Sequence, residues 1–353
     1  MEVMKNNFIF IRGVGVIGWP LTALFLSLKD LLPNTIIAIE PYQLTKENIY
    51  HIEYLCDRGA VFVKSALNDS GNFSSQFNTI PFEEARNLCD IVLDCSPPSI
   101  AEKRLSEYGS NLYKNCKGFI AQGSEHKFGK QLLFPDNTSI LNSNMDRFYH
   151  ISTCNTHTLS AIIRIFENLS VAMESIDFVI IRRDADMAKN DPHVTGPLFQ
   201  IPESENGTHH SRLLNELYQT VQKQYPVTSS AMTVNSPYMH ITRFRIEVDR
   251  IMKKEQILAE IEKDPLLSIT NLISSNMIFS SGRERGDYGR IFSHAVFVEP
   301  SLEVNGRVIR GLAATPGDSN VLISTIYAAL KVLEVENLDL ILQALYQKVI
   351  QRV

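Results

Sequence analysis

The chain of 353 residues contains no apolar run near the ~18 residues that span a bilayer. Its first apolar stretch, "FIFI", runs straight into glycines and is too short for the core of a secretory leader. A cytoplasmic protein with no membrane partner is therefore expected. Nor is there a basic block: 34 Lys and Arg stand against 39 Asp and Glu, a net charge of −5, which argues against a nucleic-acid partner. Cysteine is sparse and poorly placed for cross-linking. Cys56, Cys89, Cys95, Cys116 and Cys154 are odd in number and form neither a CxxC pair nor a Cys/His cluster of zinc spacing. A disulfide framework and a metal site are not expected, and four of the five read as core filler.

What is present is alternation. "FIFIR", "NTIIAIE", "AVFVK", "CDIVLDCSPP" and "GFIAQGSE" read as buried strands separated by helical patterns, through about residue 150. That order predicts a parallel sheet with helices on both faces. Beyond it, "SIDFVIIRR", "AMTVNSPYMH", "RFRIEVD" and "HAVFVEP" are strands spaced by longer loops and one helix near residues 254–263. The last 33 residues return to helical period. Length alone favours two domains.

Gly13, Gly15 and Gly18 spell G-x-G-x-x-G between the first strand and the first helix. The first glycine permits a tight turn, the second lets a pyrophosphate approach the backbone, and the third lets helix and strand pack closely. The helix N-terminus adds unpaired N–H groups and a positive dipole. Glu40 closes the second strand 22 residues after Gly18. A carboxylate there accepts hydrogen bonds from ribose hydroxyls and repels a 2′-phosphate. The prediction is an α/β fold in two parts. A dinucleotide-binding Rossmann domain at 1–153 is completed by a C-terminal helix at 319–353, and 154–318 form an α+β catalytic domain with a mostly antiparallel sheet. NAD is the expected cofactor; NADP stays open because Arg12 and Lys46 offer cations for a 2′-phosphate.

"HISTCNTHTLSAIIRIF" covers residues 150–166. Leu159, Ile162, Ile163, Phe166 and Leu169 recur at helical spacing, so Cys154 falls at the start of an amphipathic helix with one buried face. A thiol there feels the positive end of the helix dipole, which favours the thiolate. Periodicity leaves two readings open: a nucleophile, or a small hydrophobe filling a gap.

A series of short motifs carries a resemblance. "GVGVIG", "DIVLDCSPP", "AQGSE", "STCNTHTL", "VIIRRDAD" with "TGPLFQIP", "THH", "MHITRFRIEV" and "GRERGDYG" occur in one order and at compatible spacings. Over roughly residues 8–330 the chain resembles the archaeal-type (type II) glyceraldehyde-3-phosphate dehydrogenases, as a divergent member. The resemblance implies an NAD(P)-dependent phosphorylating aldehyde dehydrogenase that works through a cysteine thioester. It makes Cys154 the nucleophile, flanked by substrate contacts Thr153 and Asn155, and His240 the general base. It puts Arg183 at the junction of cofactor and substrate, His209 and His210 on the substrate and its phosphate, and Val16, Ile17 and Gly123 on the cofactor. It further implies a phosphorylated aldehyde and inorganic phosphate as reactants, and a homo-oligomer, a tetramer. A thiolate that adds to an aldehyde, a histidine that titrates near neutrality and a fork-shaped guanidinium for phosphate oxygens suit that chemistry.

The pattern departs in four places. His157 and Thr158 stand where the family has threonine and glycine. "THHSRLL" lacks the Gly-Pro-Asp that follows the histidine pair, which leaves Arg212 as a substitute cation. Ser124 replaces a glycine beside the cofactor. "ATPGDSNVLIS" lacks the family's glutamine and resembles the asparagine-bearing turn of the wider aldehyde and acyl-phosphate dehydrogenase superfamily, which implies Asn320 as the candidate for holding the nicotinamide carboxamide. A second reading therefore stays open: a dehydrogenase or acyl-phosphate reductase for another phosphorylated aldehyde or a semialdehyde. A non-enzymatic one is a dinucleotide-binding regulatory protein. Structural alternatives remain too: a strand-end role for His240, an exposed loop for His209–His210, and a surface ion pair of Arg182–Arg183 with Asp184 or Asp186. The apolar parity switches between Met239/Ile241 and Phe244/Ile246/Val248, which predicts a bend or bulge near Thr242–Arg243.

Overall fold

The computed structural model describes residues 7–66, 68, 77–123, 125–142, 146–184, 193–317 and 319–353; Ser124 and Asp186, singled out above, lie outside the described residues. The chain divides into two compact units, Met1–Ser152 with Leu322–Ala344, and Thr153–Val321 with Leu345–Val353. No helix among the described residues is long and apolar enough to cross a membrane.

The first unit runs β1 (Asn7–Arg12), α1 (Gly18–Ser27), β2 (Thr35–Glu40), α2 (Ile49–Asp57), β3 (Val61–Lys64), β4 (Thr79–Pro81), α3 (Phe82–Leu88), β5 (Ile91–Asp94), α4 (Ile100–Lys103), α5 (Leu105–Tyr108), β6 (Gly118–Ala121), β7 (Lys130–Leu132) and β8 (Phe148–Ile151). Its strands lie in the order β4-β3-β2-β1-β5-β6-β8-β7, and all neighbours are parallel. Phe8, Phe10, Val92 and Phe119 join one core cluster with Tyr108 and Tyr113, while the alternate residues Ile9, Ile11, Ile37 and Ile39 are buried as well. Burial on both faces explains why these strands read as continuous apolar runs. The winding reverses between β1 and β5, and the crevice beyond the carboxyl ends of such strands is where open α/β sheets bind ligands.

The second unit runs α6 (Cys154–Asn168), β9 (Met173–Arg183), β10 (Leu198–Phe199), α7 (His209–Gln219), β11 (Val227–Val234), β12 (His240–Val248), α8 (Lys254–Lys263), β13 (Leu267–Thr270), α9 (Ser275–Arg285), β14 (Ala295–Val298), β15 (Glu303–Asn305) and β16 (Val308–Thr315). Its sheet has the order β10-β11-β9-β12-β16-β14-β13, with β15 paired to β16. Most neighbours are antiparallel, but β9–β11 and β13–β14 are parallel. Parallel neighbours cannot be joined by a hairpin and need a crossover. Helices α7 and α9 supply the two crossovers, where the sequence reading placed only one helix, α8, among the strands that follow α6.

Three other expectations are corrected. Residues 319–353 form two helices, α10 (Leu322–Val332) and α11 (Leu338–Tyr346), rather than one. The break comes at Glu334, whose φ of +59° closes the end of α10 in a left-handed cap. Helix α6 is buried on every side through residues 155–166 rather than on one face, because α7, α8, β12, β14 and β16 surround it. Its polar groups are matched accordingly: Ser160 Oγ lies 2.9 Å from the Tyr218 hydroxyl, and Arg164 Nε donates to Asp264 at 2.8 Å. Strand β12 passes through Thr242–Arg243 without a bulge, and its only shift of register falls at Glu247/Val248. His240, Thr242, Phe244, Ile246 and Val248 all share the buried face. The parity break in the sequence marks polar residues on that face, not a bend.

Candidate active site

Cys154 opens α6, and Thr153 caps it. Thr153 Oγ1 accepts the Thr156 N–H at 3.3 Å and lies 2.9 Å from the Thr156 hydroxyl. The half-buried thiol thus stands in the first helical turn, where the dipole favours an anion. Arg183, at the end of β9, donates its backbone N–H to Nδ1 of His240, the first residue of β12, at 2.9 Å. Its guanidinium donates to the Tyr238 carbonyl at 3.2 Å. With Nδ1 accepting, the neutral His240 ring carries its proton on Nε2.

Gly317 is where these groups converge. A Cβ at that position would stand 3.7 Å from each of Cys154 Sγ, Arg183 Nη2 and His240 Cδ2. No two of the three atoms are therefore more than twice that distance apart. The space continues into a cleft lined by Arg183, Tyr238, Phe279, Arg290 and Pro316.

The turn that carries the thiol is anchored by buried polar side chains. Asn320 Nδ2 donates to Cys154 O at 2.9 Å and to His294 O at 3.1 Å, and Thr158 Oγ1 donates to His294 O at 2.8 Å. Asn320 is fully buried and both its N–H groups are spent in this way. His157 donates from Nδ1 to the Thr153 carbonyl at 3.0 Å and packs edge-on against the His294 ring, centroids 4.9 Å apart. Burial, then His157 and Arg164, hold the His294 imidazole well below the usual histidine range. His157 and Thr158, the departures from the family pattern, thus pack with His294 in a buried cap beneath the Cys154 turn.

The histidine pair begins α7. His209 accepts from the Gln200 amide through Nδ1 and stacks near His210, ring centroids 4.0 Å apart. His210 is buried, and neither ring nitrogen has a partner among the described residues. Burial first, then His209, Arg182 and His240, push its pKa down to about 2, so it is neutral at physiological pH. Arg212, offered as the substitute cation, is paired with Glu203 at 3.2 Å and Glu216 at 2.9 Å. Asp184 pairs with His193 rather than with either arginine, at 3.0 Å. Asn155 is buried with Oδ1 unpartnered among the described residues.

In the first unit the glycine loop has the expected geometry. Gly13 takes φ +85° and donates its N–H to Glu40 O at 2.7 Å. A Cβ on Gly13 would come within 2.6 Å of the Cys95 and Ser96 backbone, and one on Gly18 within 1.9 Å of Gly13 O. Gly15 is exposed and Gly123 has φ +80°, and both open onto unfilled space. Val16 and Ile17 lie half-buried at the start of α1. These openings, with the unpartnered buried Oε1 of Glu40 among the described residues, fit a dinucleotide. His150 Nε2 donates to the Gly123 carbonyl at 2.6 Å and fixes that peptide.

No family model matches the chain. Curated relatives do. A glyceraldehyde-3-phosphate dehydrogenase of Pyrobaculum neutrophilum is 20% identical over 294 residues, 80% of each chain. That of Pyrobaculum calidifontis is 24% identical over 260 residues, 71% of this chain and 69% of the relative. That of Methanoregula boonei is 21% identical over 331 residues, 90% of each. Along most of its length the chain is thus similar, at low identity, to glyceraldehyde-3-phosphate dehydrogenases.

Three residues of the candidate site escape sequence reasoning. Gly317 was legible only as part of a Pro-Gly turn. Arg182, whose Nε is buried without a partner among the described residues, was overshadowed by Arg183 in the same "IRR". His294 carries no sequence signal, because its partner His157 is 137 residues away.

Proposed function

We propose that the chain is an NAD(P)-dependent phosphorylating aldehyde dehydrogenase that acts through a Cys154 thioester. The observation that carries this reading is the convergence of Cys154 Sγ, His240 and Arg183 on the space at Gly317. The thiolate adds to the aldehyde carbon, and its negative charge moves to the former carbonyl oxygen. Nε2–H of His240 and the Arg183 guanidinium are the donors available to that alkoxide. Collapse of the alkoxide expels hydride and leaves the thioester; a nicotinamide dinucleotide, which the glycine loop would hold, would supply the hydride acceptor. Inorganic phosphate then displaces Cys154 as thiolate, giving the acyl phosphate and releasing a proton to solvent. His240 takes up the thiol proton only when Arg183 N–H releases Nδ1, so the preformed thiolate at the α6 terminus matters more than a strong base.

The test is phosphate-dependent reduction of the dinucleotide by glyceraldehyde 3-phosphate. Cys154→Ser is expected to abolish turnover while dinucleotide binding persists, and full activity in that variant overturns the mechanism. A second reading, the same chemistry on a semialdehyde or another phosphorylated aldehyde, is favoured by the pairing of Arg212 with Glu203 and Glu216 and by the neutral His210. These leave the loop at 207–214 poorer in positive charge than a phosphate site requires. A panel of aldehydes that ranks glyceraldehyde 3-phosphate below a semialdehyde decides for that reading.

A further inference from the structure

At the carboxyl edge of the first sheet, Glu40, Arg12 and Asp94 lie side by side on β2, β1 and β5, in register. Arg12 Nε donates to Glu40 Oε2 at 2.6 Å, and the two side chains are only 4% and 2% exposed. Arg12 Nη1 reaches Glu107 at 3.0 Å and the hydroxyls of Tyr108 and Tyr113 at 3.2 and 3.3 Å. Phe82 covers the guanidinium, its ring centroid 4.9 Å from Cζ. The neighbouring cation, Arg104, is bound to Asp94 at 2.9 Å. Every positive charge in this row thus has a carboxylate of its own. Glu40 Oε1 is buried and has no partner among the described residues.

Resting on the dinucleotide reading above, we propose that Arg12 is a positioning residue that selects the unphosphorylated dinucleotide, NAD. The guanidinium clamps one oxygen of Glu40 and leaves the other as acceptor for an adenosine ribose hydroxyl. The same clamp removes Arg12 as a partner for a 2′-phosphate, which then faces a carboxylate. The Arg12–Glu40 contact is therefore the specificity switch, and it works in reverse when broken from the Glu40 side. Neutral glutamine at position 40 keeps the shape, weakens the ribose contact and removes the carboxylate that repels the extra phosphate, leaving Arg12 with Glu107 alone.

Trp19, the chain's single tryptophan, stands in the first turn of α1 and reports binding by its fluorescence without any turnover. Titration of the full chain with NAD and NADP is expected to show about tenfold or greater preference for NAD, the scale of one hydrogen bond to a charged group. Glu40→Gln is expected to shift the ratio of the two dissociation constants about tenfold towards NADP. Arg12→Lys keeps the charge but not the fork, and is expected to weaken NAD severalfold. Equal affinities in the parent chain, or an unchanged ratio in Glu40→Gln, overturn the proposal. Absence of binding by either dinucleotide overturns both it and the reading beneath it. Selective NAD binding with no aldehyde turnover overturns the catalytic reading alone and supports this one.

Discussion

The carboxyl edge of the first sheet and the surroundings of the nucleophile in the second unit bury polar groups in opposite ways. At the first sheet's edge they are charged and paired, with Glu40 Oε1 alone of the row left without a partner among the described residues: Arg12 with Glu40 and Glu107, Arg104 with Asp94, and two tyrosine hydroxyls closing the set. In the second they are mostly neutral and incompletely matched. His210, His294, Asn320, Thr242 and Thr315 each have a buried side-chain atom without a partner among the described residues. A matched ion pair holds its shape before any ligand arrives, which suits the binding of a rigid cofactor. Unmatched donors and acceptors cost stability until something meets them, and they gather where bonds change. One unit is built to hold, the other to respond.

Acid should separate the two most strongly. His210 and His294 in the second unit, and His150 in the first, are pushed below the ordinary 6.5 by burial before any other cause; His150 reaches about 4. Above pH 6.5 these rings are neutral whether the chain is folded or unfolded. Below it the unfolded chain takes up protons that the folded chain refuses, so stability falls with falling pH. Each group costs about 1.4 kcal/mol per pH unit until its folded pKa is reached. With two such rings against one, the second unit is expected to lose stability about twice as fast down to about pH 4.5. Calorimetry checks this, with Trp19 fluorescence reporting the first unit. A first unit that melts earlier in acid breaks the comparison.

The converse variant strikes the matched set. Arg12→Leu leaves the Glu40 carboxylate buried without its cation, and is expected to destabilise the first unit by about 3–5 kcal/mol. Chemical denaturation followed by Trp19 measures it. A loss below about 1 kcal/mol means that the pair is not a clamp.

The parts of the molecule that sequence could read are those where backbone geometry dictates residue identity. Gly13 and Gly18 are legible because any side chain there strikes Cys95, Ser96 or Gly13 itself. Cys154 at a helix start was legible from the stripe of α6, although that stripe understated its burial. Helix α7 carries a readable stripe in Leu213, Leu214, Leu217 and Tyr218. In α9 only Ile278 and Gly282 are buried, so there is no stripe to read. The Arg12–Glu40 contact joins residues 28 apart whose meeting depends on strand register, and Arg212 was a free cation until the fold brought Glu203 and Glu216 to it. Pairing across the fold is what spacing does not encode.

Gly317 tests the responsive unit directly. A methyl there meets Cys154, Arg183 and His240 at ordinary van der Waals distance, so it fits the protein while filling the space the aldehyde requires. Gly317→Ala is expected to lower kcat/KM about a hundredfold with little change in Tm. An equally active variant means that the substrate approaches the thiol from elsewhere.

The smallest expected effect concerns Asn320, for which sequence and structure suggest different work. Resemblance offered it to the nicotinamide carboxamide, whereas both its N–H groups are directed at Cys154 O and His294 O. If it anchors the nucleophile's turn, Asn320→Ala removes two buried hydrogen bonds and is expected to cost about 1–3 kcal/mol, seen as lower kcat and slower alkylation of Cys154. Thr158→Val removes a single donor to the same His294 carbonyl and should give a smaller loss of the same kind. Dinucleotide affinity should stay unchanged in both. A variant of Asn320 that loses affinity for the dinucleotide while Cys154 alkylates at the parent rate returns the residue to the cofactor, and makes the second unit less self-contained than its hydrogen bonds imply.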